Sequence, residues 1–167
     1  QHKFDPQDPQ IHKKVDEYTK TLIQQIDTMS SIASAFSNFA KMPAQKLEFL
    51  NVVEVVELAL EIFTENDIKF SAKEPEIIAN FDRSQLIRII TNLVKNAVQS
   101  IPEKRTPQIS VQLFSETTDV VITVKDNGCG ITKTIEDKIF EPKFTTKTSG
   151  MGLGLPMIKN IIETYNG

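Results

Sequence analysis

Cysteine is nearly absent: Cys129 is the one cysteine in 167 residues. That excludes an internal disulfide framework and any four-cysteine zinc site. No run of about 18 apolar residues occurs, so no segment is expected to span a membrane. There is no basic excess either: 19 Lys and Arg stand against 22 Asp and Glu, a formal net charge of −3. A general nucleic-acid binder is therefore not expected. Internal repeats and low-complexity tracts are lacking. The chain begins at Gln1 and shows no signal-peptide pattern, which suggests a piece of a longer protein. What is present suits a folded protein. Hydrophobic residues make up 40% and charged residues 25%, which argues against wholesale disorder. The length fits about one domain of 150 residues plus a short extra element.

The segment before Pro43 has no glycine. From Ile11 its apolar positions run Ile11, Val15, Tyr18, Leu22, Met29, Ile32, Phe36 and Phe39, with one gap at Gln25. This alternation of fours and threes is a heptad stripe held for about four heptads. Ile23, Ile26, Ala33 and Ala40 widen the stripe beyond a two-stranded seam, as in a helix that touches several neighbours in a bundle. Either the helix lies on the following domain, or a second chain or further sequence completes a bundle. Pro43 is expected to stop it. The chain thus divides into a helical region, 1–42, and a second domain, 43–167.

In the second domain, 47–50 reads as a short strand. Asn51 is placed to cap a helix reaching about residue 65. Residues 68–70 and 77–79 read as short strands. Asp82 is placed to cap a helix over 83–100, with Leu86, Ile89, Ile90, Leu93, Val94, Ala97 and Val98 inward. Strands 109–114 and 120–124 follow, joined by a loop over 115–119, and a last helix covers about 155–165. Helices mix with antiparallel strands without regular βαβ alternation. The expected fold class is α+β, a two-layer α/β sandwich preceded by one long bundle-forming helix.

Four stretches carry possible chemistry. Asn92 and Asn96 are four apart and share a helix face. Read alone, they are two solvated amides, or two amide oxygens aimed at a cation or phosphate. Asp126-Asn-Gly-Cys-Gly130 follows a strand directly. Asn-Gly is a favoured turn dipeptide. Equally, Gly128 and Gly130 would let a ligand approach the backbone, and Asp126 offers an acceptor at a strand end. Phe140-Glu-Pro-Lys-Phe-Thr-Thr-Lys147 reads as a lid, or as a loop pinned by Phe140 and Phe144. Gly150-Met-Gly-Leu153-Gly154-Leu leads into the last helix, where exposed N–H groups suit a phosphate. It is not a dinucleotide fingerprint: no apolar strand precedes it and the spacing is not G-x-G-x-x-G. A Walker loop would need a Gly-Lys-Ser/Thr ending, which is missing.

These stretches appear in one order: NLVKNA at 92–97, DNGCG at 126–130, FEPKFTTK at 140–147 and GMGLGL at 150–155. In that order they resemble the four nucleotide-binding boxes of the sensor histidine kinases. Those kinases belong to the wider GHKL superfamily, with DNA gyrase, mismatch-repair MutL and an ATP-dependent chaperone. The resemblance covers about residues 44–167. The helix ending in IASAFSNFAKMP looks like the second helix of a dimerisation and phosphotransfer hairpin, most like the nitrogen-regulation type.

The resemblance implies roles for single residues, with ATP and Mg²⁺ as cofactors. Asn96 would ligate Mg²⁺, and Asn92 would lie beside it near the phosphates; both would serve catalysis. Asp126 would accept from the adenine amino group, with Gly128 and Gly130 admitting the ring. Phe140 and Phe144 would belong to a mobile lid, with Thr145, Thr146 and Lys147 at its phosphate side. Gly150, Gly152, Leu153 and Gly154 would wrap the phosphates. In hydrolysing relatives the position of Asn92 holds a glutamate that activates water. An amide cannot take that proton near neutral pH, which fits transfer to a protein side chain instead.

The implied activity is transfer of the ATP γ-phosphoryl group to a histidine, then to a response-regulator aspartate. The acceptor histidine of such kinases is followed by an acidic residue and, four positions on, a proline. His2 and His12 are each followed by lysine, so the acceptor is expected upstream, and the chain alone is not expected to phosphorylate itself. Implied partners are ATP, a receiver domain of a response regulator, and a second copy through the N-terminal helix, with no nucleic acid and no membrane contact. The implied setting is the cytoplasmic portion of an inner-membrane sensor. The family also has strands after the last helix, whereas this sequence ends at Asn166-Gly167. The alternatives are an ATPase or serine kinase of another GHKL branch, such as an anti-sigma factor, or a non-enzymatic dimerisation module. Cys129 reads as a small turn residue or a reactive thiol.

Overall fold

The computed structural model describes residues 11–40, 46–64, 67–147 and 150–167, with side chains in the first helix at 13–26 and 29. Two compact units result, one up to Pro43 and one from Ala44. The first is helix α1, Ile11–Ala40. Its described stripe faces outward: Tyr18, Leu22, Ile26 and Met29 are all more than half exposed. Pro43 and His2 lie outside the described residues, as does the side chain of His12.

The second unit is α+β. Strand β1 (Glu48–Asn51) pairs antiparallel with β3 (Ile78–Phe81). A separate sheet has the order β2-β4-β5, from Ile68–Ala72, Ile109–Glu116 and Asp119–Asp126. β2 runs parallel to β4, and β4 antiparallel to β5. Helices α2 (Val52–Leu60) and α3 (Arg83–Ser100) supply the covering layer. Along β4 the period of two is plain: Ile109, Val111 and Leu113 are buried, while Gln112 between them is exposed. One sheet face is therefore covered by helices. Val55, Val56, Ile90 and Val94 meet Val111 and Leu113 there, all essentially without solvent contact. Each such side chain contributes roughly 1.5–3 kcal/mol of burial. A smaller cluster joins Ile89 of α3 to Ile158 and Ile161 of the last helix, α5 (Gly154–Thr164).

Both expected caps form. Asn51 Oδ1 accepts from the Val53 N–H at 3.2 Å and also from the Ile77 N–H at 3.3 Å. Asp82 is buried and its Oδ1 accepts from the N–H groups of Ser84 (2.9 Å) and Gln85 (3.1 Å). Its Oδ2 accepts from the Lys46 N–H at 2.9 Å. Asp82 therefore ties the chain entering the domain to the start of α3.

Three local expectations shift. The β4–β5 ladder runs to the Glu116–Asp119 pair, leaving a two-residue turn in place of the five-residue loop. Thr117 adopts φ 56° there, as such hairpin turns require; no glycine or asparagine announced it. The strand expected over 77–79 lies at 78–81, and Ile77 instead binds the α2 entry through both its N–H and its carbonyl. A short helix, α4 (Lys133–Glu136), stands where only loop was expected.

Candidate functional site

The core stripe of α3 fixes where its polar residues point. Leu86, Ile89, Ile90, Val94 and Ala97 are buried. Asn92, Asn96 and Gln99 share the flank beside that stripe by the three- and four-residue spacing of a helix. The amide N–H of Asn92 donates to the Arg88 carbonyl at 2.8 Å. This orients its Oδ1 away from the helix. The start of α5 comes up against both amides. A Cβ added at Gly154 would lie 3.3 Å from Asn92 Oδ1 and 3.8 Å from Asn96 Nδ2. Leu153 caps α5 without a side-chain hydrogen bond, so the first-turn N–H groups have no side chain answering them. The start of α5 thus lies beside the oxygen of one amide and the nitrogen of the other.

The DNGCG stretch turns directly off β5. Asp126 Oδ1 accepts from Ser100 Oγ and from the Gly128 N–H, each at 2.8 Å. Both bonds fall on one oxygen, which leaves Oδ2 for an outside donor. The Cys129 N–H donates to the Ser100 carbonyl at 3.0 Å. Space at Gly128 is the constraint: a Cβ would fall 1.9 Å from Ser100 Oγ. Gly130 sits at φ +71° with open space on its Cβ side. Asn127 serves the turn itself. Its side chain donates to the Thr106 carbonyl and accepts from the Gln108 N–H, both at 3.0 Å. The Arg105 guanidinium donates to the carbonyls of Asn127 and Gly128.

The FEPKFTTK stretch and the glycine loop pack backbone on backbone. The Lys143 N–H donates to the Gly152 carbonyl at 3.0 Å. Gly152 has φ +61°, and a Cβ there would lie 2.5 Å from the Phe144 carbonyl oxygen. Only glycine satisfies both conditions. A Cβ at Gly150 would lie 2.4 Å from Thr145 Oγ1. Thr146 is exposed, Phe140 is 44% exposed and Phe144 half-buried. Lys159 Nζ lies 5.7 Å from the Phe140 ring.

Lys147 reaches across to α3. Its Nζ donates to Asn96 Oδ1 at 3.2 Å and to Gln99 Oε1 at 2.9 Å. Its pKa is held below the ordinary lysine value, chiefly by burial, with Lys95 adding to the effect; the fields of Cys129 and Asp126 oppose it. The DNGCG loop is thus close enough to be felt electrostatically at Lys147. Asn92, Asn96, Asp126, Lys147 and Gly154 come from stretches up to 62 residues apart and gather along the C-terminal half of α3.

Sequence reasoning missed Gln99, Ser100 and Arg105. Gln99 had a signal, three residues on from Asn96 on the same face. Ser100 and Arg105 had none, since each acts on a loop more than 20 residues away. Among the described residues no cluster of three or more His, Cys, Asp or Glu could hold a metal. No described helix is long and apolar enough to cross a membrane.

A family profile described as histidine kinase-, DNA gyrase B- and HSP90-like ATPase matches residues 81–167. The nitrogen regulation protein NtrY of Azorhizobium caulinodans is 29% identical over 160 residues, 91% of this chain and 21% of that protein. Sporulation kinase A of Bacillus subtilis is 33% identical over 158 residues, 90% of this chain and 26% of its own length. The chain therefore spans about a fifth to a quarter of these two relatives. Among solved structures, the catalytic domain of histidine kinase ThkA is 30% identical with a TM-score of 0.65, covering 71% of this chain and 81% of that domain. The family match spans all four stretches, and with this likeness it shows that the chain belongs to the histidine kinase-, DNA gyrase B- and HSP90-like ATPases and is a histidine-kinase catalytic region.

Proposed function

We propose that the face formed by the C-terminal half of α3 with the DNGCG turn and the start of α5 binds ATP with Mg²⁺ and presents the γ-phosphoryl group to a histidine upstream of residue 1, for onward transfer to a response-regulator aspartate. The observation that carries this reading is the meeting of Asn92, Asn96 and the start of α5 at Gly154. The donor set fits. Amide oxygens are hard ligands of the kind Mg²⁺ accepts, and Asn96 Oδ1 already accepts from a cation, the Lys147 ammonium. Bound Mg²⁺ would supply charge neutralisation on the phosphates.

The residues of this chain do the rest. Asp126 accepts from the adenine amino group through the oxygen that Ser100 and Gly128 leave open, while Gly128 and Gly130 give the ring room. The N–H groups of Gly152, Leu153 and Gly154, with Gly150 preceding them, receive the phosphates at the positive end of α5. Phe140, Phe144, Thr145, Thr146 and Lys147 form the lid over them. Asn92 holds position without taking a proton, so water is not activated. Catalysis here is positioning and electrostatics rather than covalent chemistry.

Helix α1, within the region 1–42, serves as the second helix of a dimerisation and phosphotransfer hairpin, paired with a second copy. The exposed stripe from Val15 to Met29 supports this. A solved complex of histidine kinase ThkA with response regulator protein TrrA is similar in fold over the whole of this chain and 48% of that one, at a TM-score of 0.73 and 22% identity. The receiver-domain partner and a place on the cytoplasmic side of a membrane-bound sensor go with the same reading. Calorimetric titration with Mg²⁺–ATP tests it. Wild type is expected to bind and Asp126→Asn to bind more weakly; equal affinities would remove Asp126 from the adenine site.

A further inference from the structure

Lys147 occupies an unusual position for a lid residue. Its ammonium rests on Asn96 Oδ1, the atom proposed above as the metal ligand, and is held there by a second acceptor, Gln99 Oε1. Gln99 lies one turn beyond Asn96 on α3, and its side chain makes no other hydrogen bond among the described residues. Thr145 shapes the approach, since its Oγ1 accepts from the Lys147 N–H at 3.1 Å. Two amide oxygens on a helix therefore clasp one ammonium from a loop 48 residues away. Hydrogen bonds to an ionised donor are shorter and stronger than neutral ones; the one to Asn96 is partly shielded from water, whereas the one to Gln99 is exposed.

We infer that Gln99 and Lys147 form a latch that holds the lid on α3 when the metal–nucleotide is absent, and that the latch competes with Mg²⁺ for Asn96 Oδ1. The inference rests on the nucleotide reading above for its second half only. An ammonium already seated on that oxygen would repel a divalent cation approaching the same atom, so each weakens the hold of the other. Arrival of Mg²⁺–nucleotide therefore favours release of Lys147. The ammonium, once released, would be available to the phosphates. Gln99 is a positioning residue in this scheme: it touches Lys147 and neither metal nor nucleotide. Nucleotide without metal leaves Asn96 Oδ1 unclaimed and does not compete with the latch.

Gln99→Ala and Gln99→Glu move the latch in opposite directions, which a purely structural role for Gln99 would not do. In the nucleotide-free full chain, acylation of the Lys147 amine by a water-soluble active ester, read by mass spectrometry, is expected to speed up about threefold in Gln99→Ala and to slow in Gln99→Glu. Mg²⁺–ADP is expected to bind about threefold tighter to Gln99→Ala and more weakly to Gln99→Glu. ADP in excess chelator is expected to bind all three alike. Equal acylation in the three proteins overturns the latch. Affinity changes of the same size with and without Mg²⁺ overturn the competition. If acylation follows the expected order but wild type binds no nucleotide, the nucleotide reading fails and takes the competition with it, while the nucleotide-free latch stands.

Discussion

Gly154 meets Asn92 so closely that a Cβ would lie 3.3 Å from Asn92 Oδ1. The contact puts the first turn of α5 against the amides of α3, and one methyl group is enough to disturb it. Gly154→Ala at the first position of α5 reduces the freedom of the unfolded chain yet makes Asn92 Oδ1 shift by about a few tenths of an ångström. The expected outcome is an unchanged or slightly raised melting temperature with weaker Mg²⁺–ATP binding, by about tenfold. Scanning calorimetry and titration of the same preparation separate the two effects.

Gly128 is constrained by space, not by φ. Its added Cβ would overlap Ser100 Oγ at 1.9 Å and crowd Asp126 Oδ1 at 2.7 Å. Overpacking of this kind costs about 1–3 kcal/mol. Gly128→Ala is expected to lower the urea midpoint and to lose ATP binding, because the displaced atoms are those that orient Asp126. Ser100→Gly in the same background removes the overlapping atoms and is expected to restore part of the stability.

Asn92 offers an amide where a general base would need a carboxylate. Asn92→Glu is expected to raise ATP hydrolysis about tenfold or more, since a positioned base contributes at least that much. Phosphate release assayed at saturating Mg²⁺–ATP checks this. Unchanged hydrolysis in a folded, ATP-binding variant would count against Asn92 as the barrier to water attack.

Asp82 gives the domain an acid-sensitive joint. Burial disfavours its charged form, but the Ser84 hydroxyl and the N–H groups of Lys46, Gln85 and Ser84 more than compensate, and its pKa falls below the ordinary aspartate value. A carboxylate with a lowered folded-state pKa contributes stability that is fully present above about pH 4, its unfolded value. That contribution is lost as pH falls through the lower folded value. Asp82→Ala is expected to cost about 1–2 kcal/mol at pH 7 through the lost cap. The gap to wild type should narrow below pH 4, which urea unfolding across pH 3–7 would show.

The parts of the structure that follow from periodicity were readable in the sequence. The buried face of α3, the alternation along β4 and the caps at Asn51 and Asp82 each rest on short-range patterns that fix which side is apolar. The four boxes were readable through their order. Their sharing of one nucleotide was an expectation of the family resemblance; the partners that hold them were not readable, because those depend on long-range placement: Lys147 finds Gln99, Arg105 finds Asn127, and Ser100 finds Asp126. The Thr117 turn was missed for a related reason, since cross-strand pairing out to Glu116 and Asp119 imposes a left-handed residue that threonine does not favour.

Amide chemical-shift mapping of the ¹⁵N-labelled chain against a non-hydrolysable ATP analogue with Mg²⁺ tests the convergence of the four stretches most directly. Saturable shifts are expected together at 92–96, 126–130, 140–147 and 150–154, with the outer face of β4 quiet. Shifts confined to one stretch, or centred on residues away from the C-terminal half of α3, would contradict a single nucleotide cleft.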